Sequence, residues 1–203
     1  MQIENHKEEV PFAHYEALFR EMDPREAAKR LPGTQWDGKR FYVQLMHRSY
    51  AVAHPECSVA ALADDSVPPL GTQTFLLRYL LESRNTAWLG GWKTFREMPW
   101  GETYQKAFSG RALTRAAFAF GSRIDAFRTA CEQIGGAPVP QGDAGYEFNF
   151  IGNFKVRILV WEGDEEFPPS AQILYSDNFA AGFTAEDRVV AADILISAIR
   201  AHM

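Results

Sequence analysis

The chain has 203 residues, of which 46% are hydrophobic and 23% charged, with a formal net charge of −5. These totals suit a globular protein with a sizeable core, built as one large domain or two small ones. They do not suit a surface that tracks phosphates, so nucleic acid is not an expected partner. Two distant cysteines, Cys57 and Cys131, exclude a disulfide framework and a four-cysteine metal site. The opening MQIENHKEEVPF lacks the basic and apolar regions of a signal peptide, and no apolar run is long enough to span a bilayer. The expected setting is a cytoplasm, with no membrane partner.

Along the chain, Tyr15, Leu18, Phe19 and Met22 recur at helical spacing. Asp23-Pro24 then has the form of an N-cap followed by a proline at the first helical position, and Pro32-Gly33 ends that short helix. Residues 39–54 alternate Phe41, Val43 and Leu45 with polar partners, resume with Tyr50 and Val52, and read as a hairpin. Residues 54–70 read as loop. Phe75, Leu76, Tyr79 and Leu80 stripe a helix over 72–82. Gly90-Gly91 breaks the chain before the short extended segment 92–98. Residues 102–120 form one helix or two, with Gly110 as the joint. Ser122 and Asp125 have capping-box spacing ahead of a helix whose stripe is Ile124, Phe127, Cys131 and Ile134. Residues 137–145 are the best linker candidate.

The last third alternates strongly. YEFNF (146–150), KVRILVW (155–161) and AQILY (171–175) read as strands. Thr184 and Asp187 form a second capping-box pattern before a C-terminal helix striped by Val190, Ile194, Leu195, Ala198 and Ile199. Helices and strands come in blocks, not in strict alternation. The expected fold is α+β: a single domain with an antiparallel or mixed sheet covered by helices, the C-terminal helix packed on the sheet, and at most a weak subdivision near 137–145.

Two constellations could carry chemistry. The first is WEGDEEFPP (161–169), where Glu162, Asp164, Glu165 and Glu166 repel one another and need water, a cation or a basic partner. The bland reading is a solvated loop between strands. Trp161, Phe167 and two prolines bracket the acids, which points to fixed geometry. The second is Trp88, Trp92, Phe95, Arg96, Trp100 and Tyr104: aromatic surface plus one guanidinium able to clamp a carboxylate or phosphate. Its bland reading is core packing. Joining the two, Arg96 is expected to pair with an acid of 162–166. The candidate ligand-binding residues are therefore Trp92, Arg96, Trp100, Trp161, Glu162, Asp164, Glu165 and Glu166. His47, His54 and Cys57 fall short of a zinc set, so no metal site is expected. Phosphate loops and the GxSxG elbow are absent.

The segments ILVWEGDEEFPPSAQILYSDN (158–178), TAED (184–187), RYLL (78–81) and WKTFREMPWGETYQKAF (92–108) together resemble an uncharacterised prokaryotic domain family of unknown function. The resemblance covers roughly residues 10–200. Members occur largely in anaerobes, and some carry a cysteine-rich iron–sulfur module whose cysteines this chain lacks. The resemblance implies a context of corrinoid or other one-carbon metabolism and supplies no catalytic residues. The leading expectation is an accessory protein that binds a small ligand or a protein partner through the 92–104 and 161–167 segments. One alternative is a hydrolase or transferase using the 162–166 carboxylates as acid/base groups or metal ligands. Another is a carrier of a tetrapyrrole-type cofactor on the tryptophans, with His47 as an axial candidate. No cofactor is specified by the residues themselves.

Overall fold

The computed structural model describes residues 6–31 and 33–203, with side chains from residue 11 onward. Pro32, expected as part of a helix stop, and residues 1–5 lie outside the described residues. The chain divides into two compact units, residues 1–86 and 87–203.

The first unit runs α1 (His6–Glu21), α2 (Pro24–Arg30), β1 (Gln35–Trp36), β2 (Arg40–Leu45), β3 (Arg48–Ala53), β4 (Val59–Ala61) and α3 (Leu70–Glu82). Asp23 caps α2 as its type predicts, accepting a bond from Arg25 N at 2.9 Å. The four strands form an antiparallel meander in chain order. Phe41, Val43 and Leu45 are buried at alternate positions of β2, so period two fixes which face turns inward. Strand β4 lies inside the stretch read as loop. It is only three residues long, too short to show an alternation.

The second unit contains β5 (Trp92–Thr94), α4 (Gly101–Phe108), α5 (Thr114–Phe120), α6 (Ile124–Gln133), β6 (Ala137–Val139), β7 (Ala144–Ile151), β8 (Phe154–Trp161), β9 (Ser170–Ser176), α7 (Phe179–Gly182) and α8 (Ala185–Arg200). Its strands lie in the order β5-β9-β8-β7-β6, all antiparallel. The stretch 137–145 is inside this unit: β6 pairs with β7 through Ala137 with Glu147 and Val139 with Gly145. A π-helical turn over Ser109–Leu113 joins α4 to α5 and contains Gly110, the expected joint.

One face of this sheet carries the core. Val156, Ile158 and Val160 are fully buried, with Phe148 and Ile173 beside them. At about 1.5–3 kcal/mol for each large side chain withdrawn from water, this face decides the register of β8. Helix α6 meets it with Phe127, whose ring lies edge-on to Tyr146 at 5.8 Å and tilted on Phe120 at 5.0 Å. Helix α8 is tied to the sheet by the Tyr175 hydroxyl, which donates to the Arg188 carbonyl at 2.7 Å.

The two capping boxes part ways. At α8 both bonds form: Thr184 N donates to Asp187 at 2.8 Å, and Asp187 N donates to the Thr184 hydroxyl at 3.4 Å. At α6 the expected box fails, because Arg123 is the N-cap and no side chain caps the helix. Helix α5 runs up to Gly121, and Arg123 N turns back to Phe120 O at 2.9 Å. That tight turn takes up Ser122 before the helix begins.

Candidate functional site

The outer face of the second unit's sheet is set by the odd residues of β8. Arg157 stands there opposite Glu147 of β7, and Lys155 opposite Asn149. Glu147 accepts from Lys155 Nζ at 2.7 Å and from Arg157 Nε and Nη2 at 3.1 and 2.9 Å. Burial pushes the Glu147 carboxyl up, but the bonds and charges of Lys155 and Arg157 outweigh it and hold the group below its ordinary range. Two indoles cover the cations: Trp92 lies 4.0 Å from the Arg157 guanidinium and Trp88 4.4 Å from Lys155 Nζ. The loop bearing Trp88 is pinned by Asp177, which accepts from Leu89 N at 3.2 Å and Gly91 N at 2.9 Å. Sequence reasoning singled out Trp88 and Trp92 here but missed Glu147, Lys155 and Arg157. Their signal was the period-two pattern of KVRILVW, which places both cations on one face.

After β5 the chain turns inward. Phe95 is buried and stacks flat on Phe108 of α4, centroids 4.1 Å apart. Gly101 follows closely: a Cβ there would sit 1.9 Å from Phe95 O, so only glycine fits. Between them Pro99 O accepts a bond from the Arg188 guanidinium, which reaches across from α8. Arg188 is 1% exposed and also donates to Phe183 O at 3.3 Å. Its Nε finds no partner among the described residues. Burial lowers its pKa from the ordinary arginine value.

These constraints leave Trp100 with φ 63° and ψ 0°, the left-handed region, and 73% exposed. A non-glycine residue there costs about 1–2 kcal/mol. Trp100 has no ring or cation contact among the described residues that would offset that cost. Tyr104 lies one turn further on, with N donating to Trp100 O at 3.3 Å and a ring that is 52% exposed. Beside them Arg96 donates to Glu102 at 2.6 Å, both side chains exposed. Arg96 therefore pairs within its own segment and not with an acid of 162–166.

The acidic segment is a tongue between β8 and β9. Every residue from Trp161 to Phe167 is exposed. Asp164 shapes the tip by accepting from Glu166 N at 2.8 Å and Phe167 N at 2.7 Å, while its own N donates to Phe167 O at 2.9 Å. At the base, Glu162 N donates to Asp143 at 2.8 Å, and Pro169 presses on Gly121, where a Cβ would lie 2.3 Å from it. Asp164 thus holds the turn it belongs to. Among the described residues none of Glu162, Asp164, Glu165 and Glu166 has a basic partner.

Of the expected site residues, Trp92 belongs to the outer face, Arg96 and Trp100 to the segment ahead of α4, and Trp161 with the four acids to the tongue. No cluster of three or more His, Cys, Asp or Glu suited to a metal occurs among the described residues. His54 packs edge-on against Phe19 at 5.2 Å, and the buried Cys57 thiol donates to Pro55 O at 3.3 Å, its pKa raised by burial. Among the described residues, no helix is long and apolar enough to cross a membrane. No curated protein and no solved structure matches the chain. A family model described as a domain of unknown function (DUF3786) matches residues 23–198, and the chain belongs to that family.

Proposed function

We propose that this protein is an accessory binding module, working in a cytoplasm, that docks a protein partner on the aromatic patch of Trp100 and Tyr104, with Arg96 at its margin. One observation carries the reading: a tryptophan is kept 73% exposed in left-handed backbone, where glycine or asparagine would cost less. The support beneath it is elaborate, comprising a buried guanidinium on Pro99 O and a glycine forced against Phe95 O. Tryptophan, tyrosine and arginine are also the residue types that dominate protein–protein binding energy. A small planar ligand is served less well by the other tryptophans, since Trp88 and Trp92 each have one face already taken by Lys155 or Arg157.

The test compares affinity capture from extract of the source cells by the native protein, Trp100→Ala and Tyr104→Ala. The expected result is a defined partner held by the native protein and lost by both variants, with thermal unfolding unchanged within about 1 kcal/mol. Equal capture by all three would overturn the reading.

A further inference from the structure

Gly101 N donates to Met98 O at 2.9 Å, so residues 98–101 form a reverse turn with Pro99 and Trp100 at its centre. Trp100 has φ 63° and ψ 0°. Those angles at the third position, after a proline at the second, make a type II turn, whose third residue is ordinarily glycine or asparagine. A type I turn closes the same bond with its third residue at negative φ, where tryptophan is unstrained. The two turns differ by a flip of the central peptide, which carries Pro99 O and Trp100 N to opposite sides. With tryptophan in the third place, the local chain by itself favours type I.

Among the described residues, one bond reaches that central peptide from outside the turn: the Arg188 guanidinium donates to Pro99 O. The indole cannot hold the turn itself, being 73% exposed. Arg188, by contrast, is fixed on several sides. Its Nη1 donates to Phe183 O at 3.3 Å, just before the Thr184 cap of α8. Its guanidinium lies 5.4 Å from the Phe95 ring centroid, and its own carbonyl accepts from the Tyr175 hydroxyl at 2.7 Å. The planar fork of arginine lets one side chain meet carbonyls from two separate segments, which the single ammonium of lysine does less well. Burying a guanidinium is costly, and an apolar side chain of similar size would fill the same space at less cost. Filling space therefore does not account for arginine at this position, whereas a hold on Pro99 O does.

We infer that Arg188 is the positioning residue of the Trp100 patch: by donating to Pro99 O it selects the type II turn, and with it the direction in which the indole is presented. Without that bond the central peptide flips, Trp100 returns to negative φ, and the indole is aimed differently relative to Tyr104. The inference rests on the proposed function only for the claim that the indole meets a partner. The rival account is that local packing suffices. Met98 N donates to Phe95 O at 3.4 Å and Gly101 lies against the same oxygen, so Arg188 would merely complete the core.

Two measurements on the whole chain decide between these accounts without any partner. The first is a double-mutant cycle in urea unfolding, pairing Trp100→Gly with Arg188→Met. Glycine relieves the left-handed strain only where the turn is held in type II, and its extra freedom in the unfolded chain is the same in both backgrounds and cancels. The factor by which Trp100→Gly changes the folding constant should be at least about fivefold higher with Arg188 than with Arg188→Met. The second is the nuclear Overhauser contact from Pro99 Hα to the Trp100 N–H, which is strong in a type II turn and weak in type I. It should be strong in the native protein and weak in Arg188→Met. If Arg188→Met does not fold, Arg188→Lys, which keeps the charge without the fork, takes its place in both measurements. Failure of both variants to fold gives Arg188 a role in the fold alone and overturns the inference. So does an equal effect of Trp100→Gly in the two backgrounds, or an unchanged Overhauser contact. Capture from extract separates the inference from the docking reading. Arg188→Met should lose the partner that Trp100→Ala loses, and retention by Arg188→Met alone overturns the inference. Retention by Trp100→Ala instead sinks the docking reading, and the cycle still decides what sets the turn.

Discussion

Replacing Glu147 with glutamine keeps the shape of the side chain and removes its charge. Three bonds change character, one from Lys155 and two from Arg157, at side chains that are 24%, 19% and, for Glu147, 16% exposed. A bond to a charged group contributes about 1.5–3 kcal/mol and a neutral one about 1 kcal/mol. Partial solvation puts the loss at the low end, so Glu147→Gln should cost about 2 kcal/mol at neutral pH. The pH dependence has a definite sign. The folded-state carboxyl lies below its ordinary value of 4.5, so its stabilisation is present above that value and disappears as pH falls through the lower folded-state pKa. Urea unfolding of both proteins across the acid range measures this. The gap between them should be widest near neutrality and should close as native Glu147 takes up its proton. Equal stability at neutral pH, or a gap that persists unchanged in acid, would refute the reasoning.

Gly101→Ala should cost more than about 2 kcal/mol, since the new Cβ collides with backbone rather than with a flexible side chain; thermal unfolding checks it. Asp164→Ala should leave global stability within about 1 kcal/mol while speeding hydrogen exchange at Glu166 and Phe167, whose N–H groups lose their acceptor.

The sequence made some of this legible and hid the rest for identifiable reasons. Strands β2, β7, β8 and β9 were readable because one face is buried and the other is not, which imposes period two on the residues. Helix α8 was readable from Thr184 and Asp187. Strands β4 and β6 were not, being too short for a pattern. Arg188 was invisible: a guanidinium on a helix normally faces water, and only the fold reveals that carbonyls from two loops surround it. The α6 cap was misread because spacing alone does not say that a preceding turn has already used Ser122. Sequence marked the tongue and the aromatic segment as candidates, but the pairing it expected between Arg96 and an acid of 162–166 does not form. Arg96 had a nearer acid in Glu102, six residues along, and a local pair needs no long-range closure.

The tongue has a topological consequence. Its ends are joined by the β8–β9 ladder from Val156 with Tyr175 out to Trp161 with Ser170, and its base is clamped by Asp143 and Gly121. Covalent continuity between Glu162 and Phe167 therefore does little for the architecture. A glutamate-specific protease that nicks this segment should leave two fragments that stay associated, and a circular permutant opening between Asp164 and Glu165 should still reach the same fold. Whatever constrains these residues, it is not the need to connect two strands.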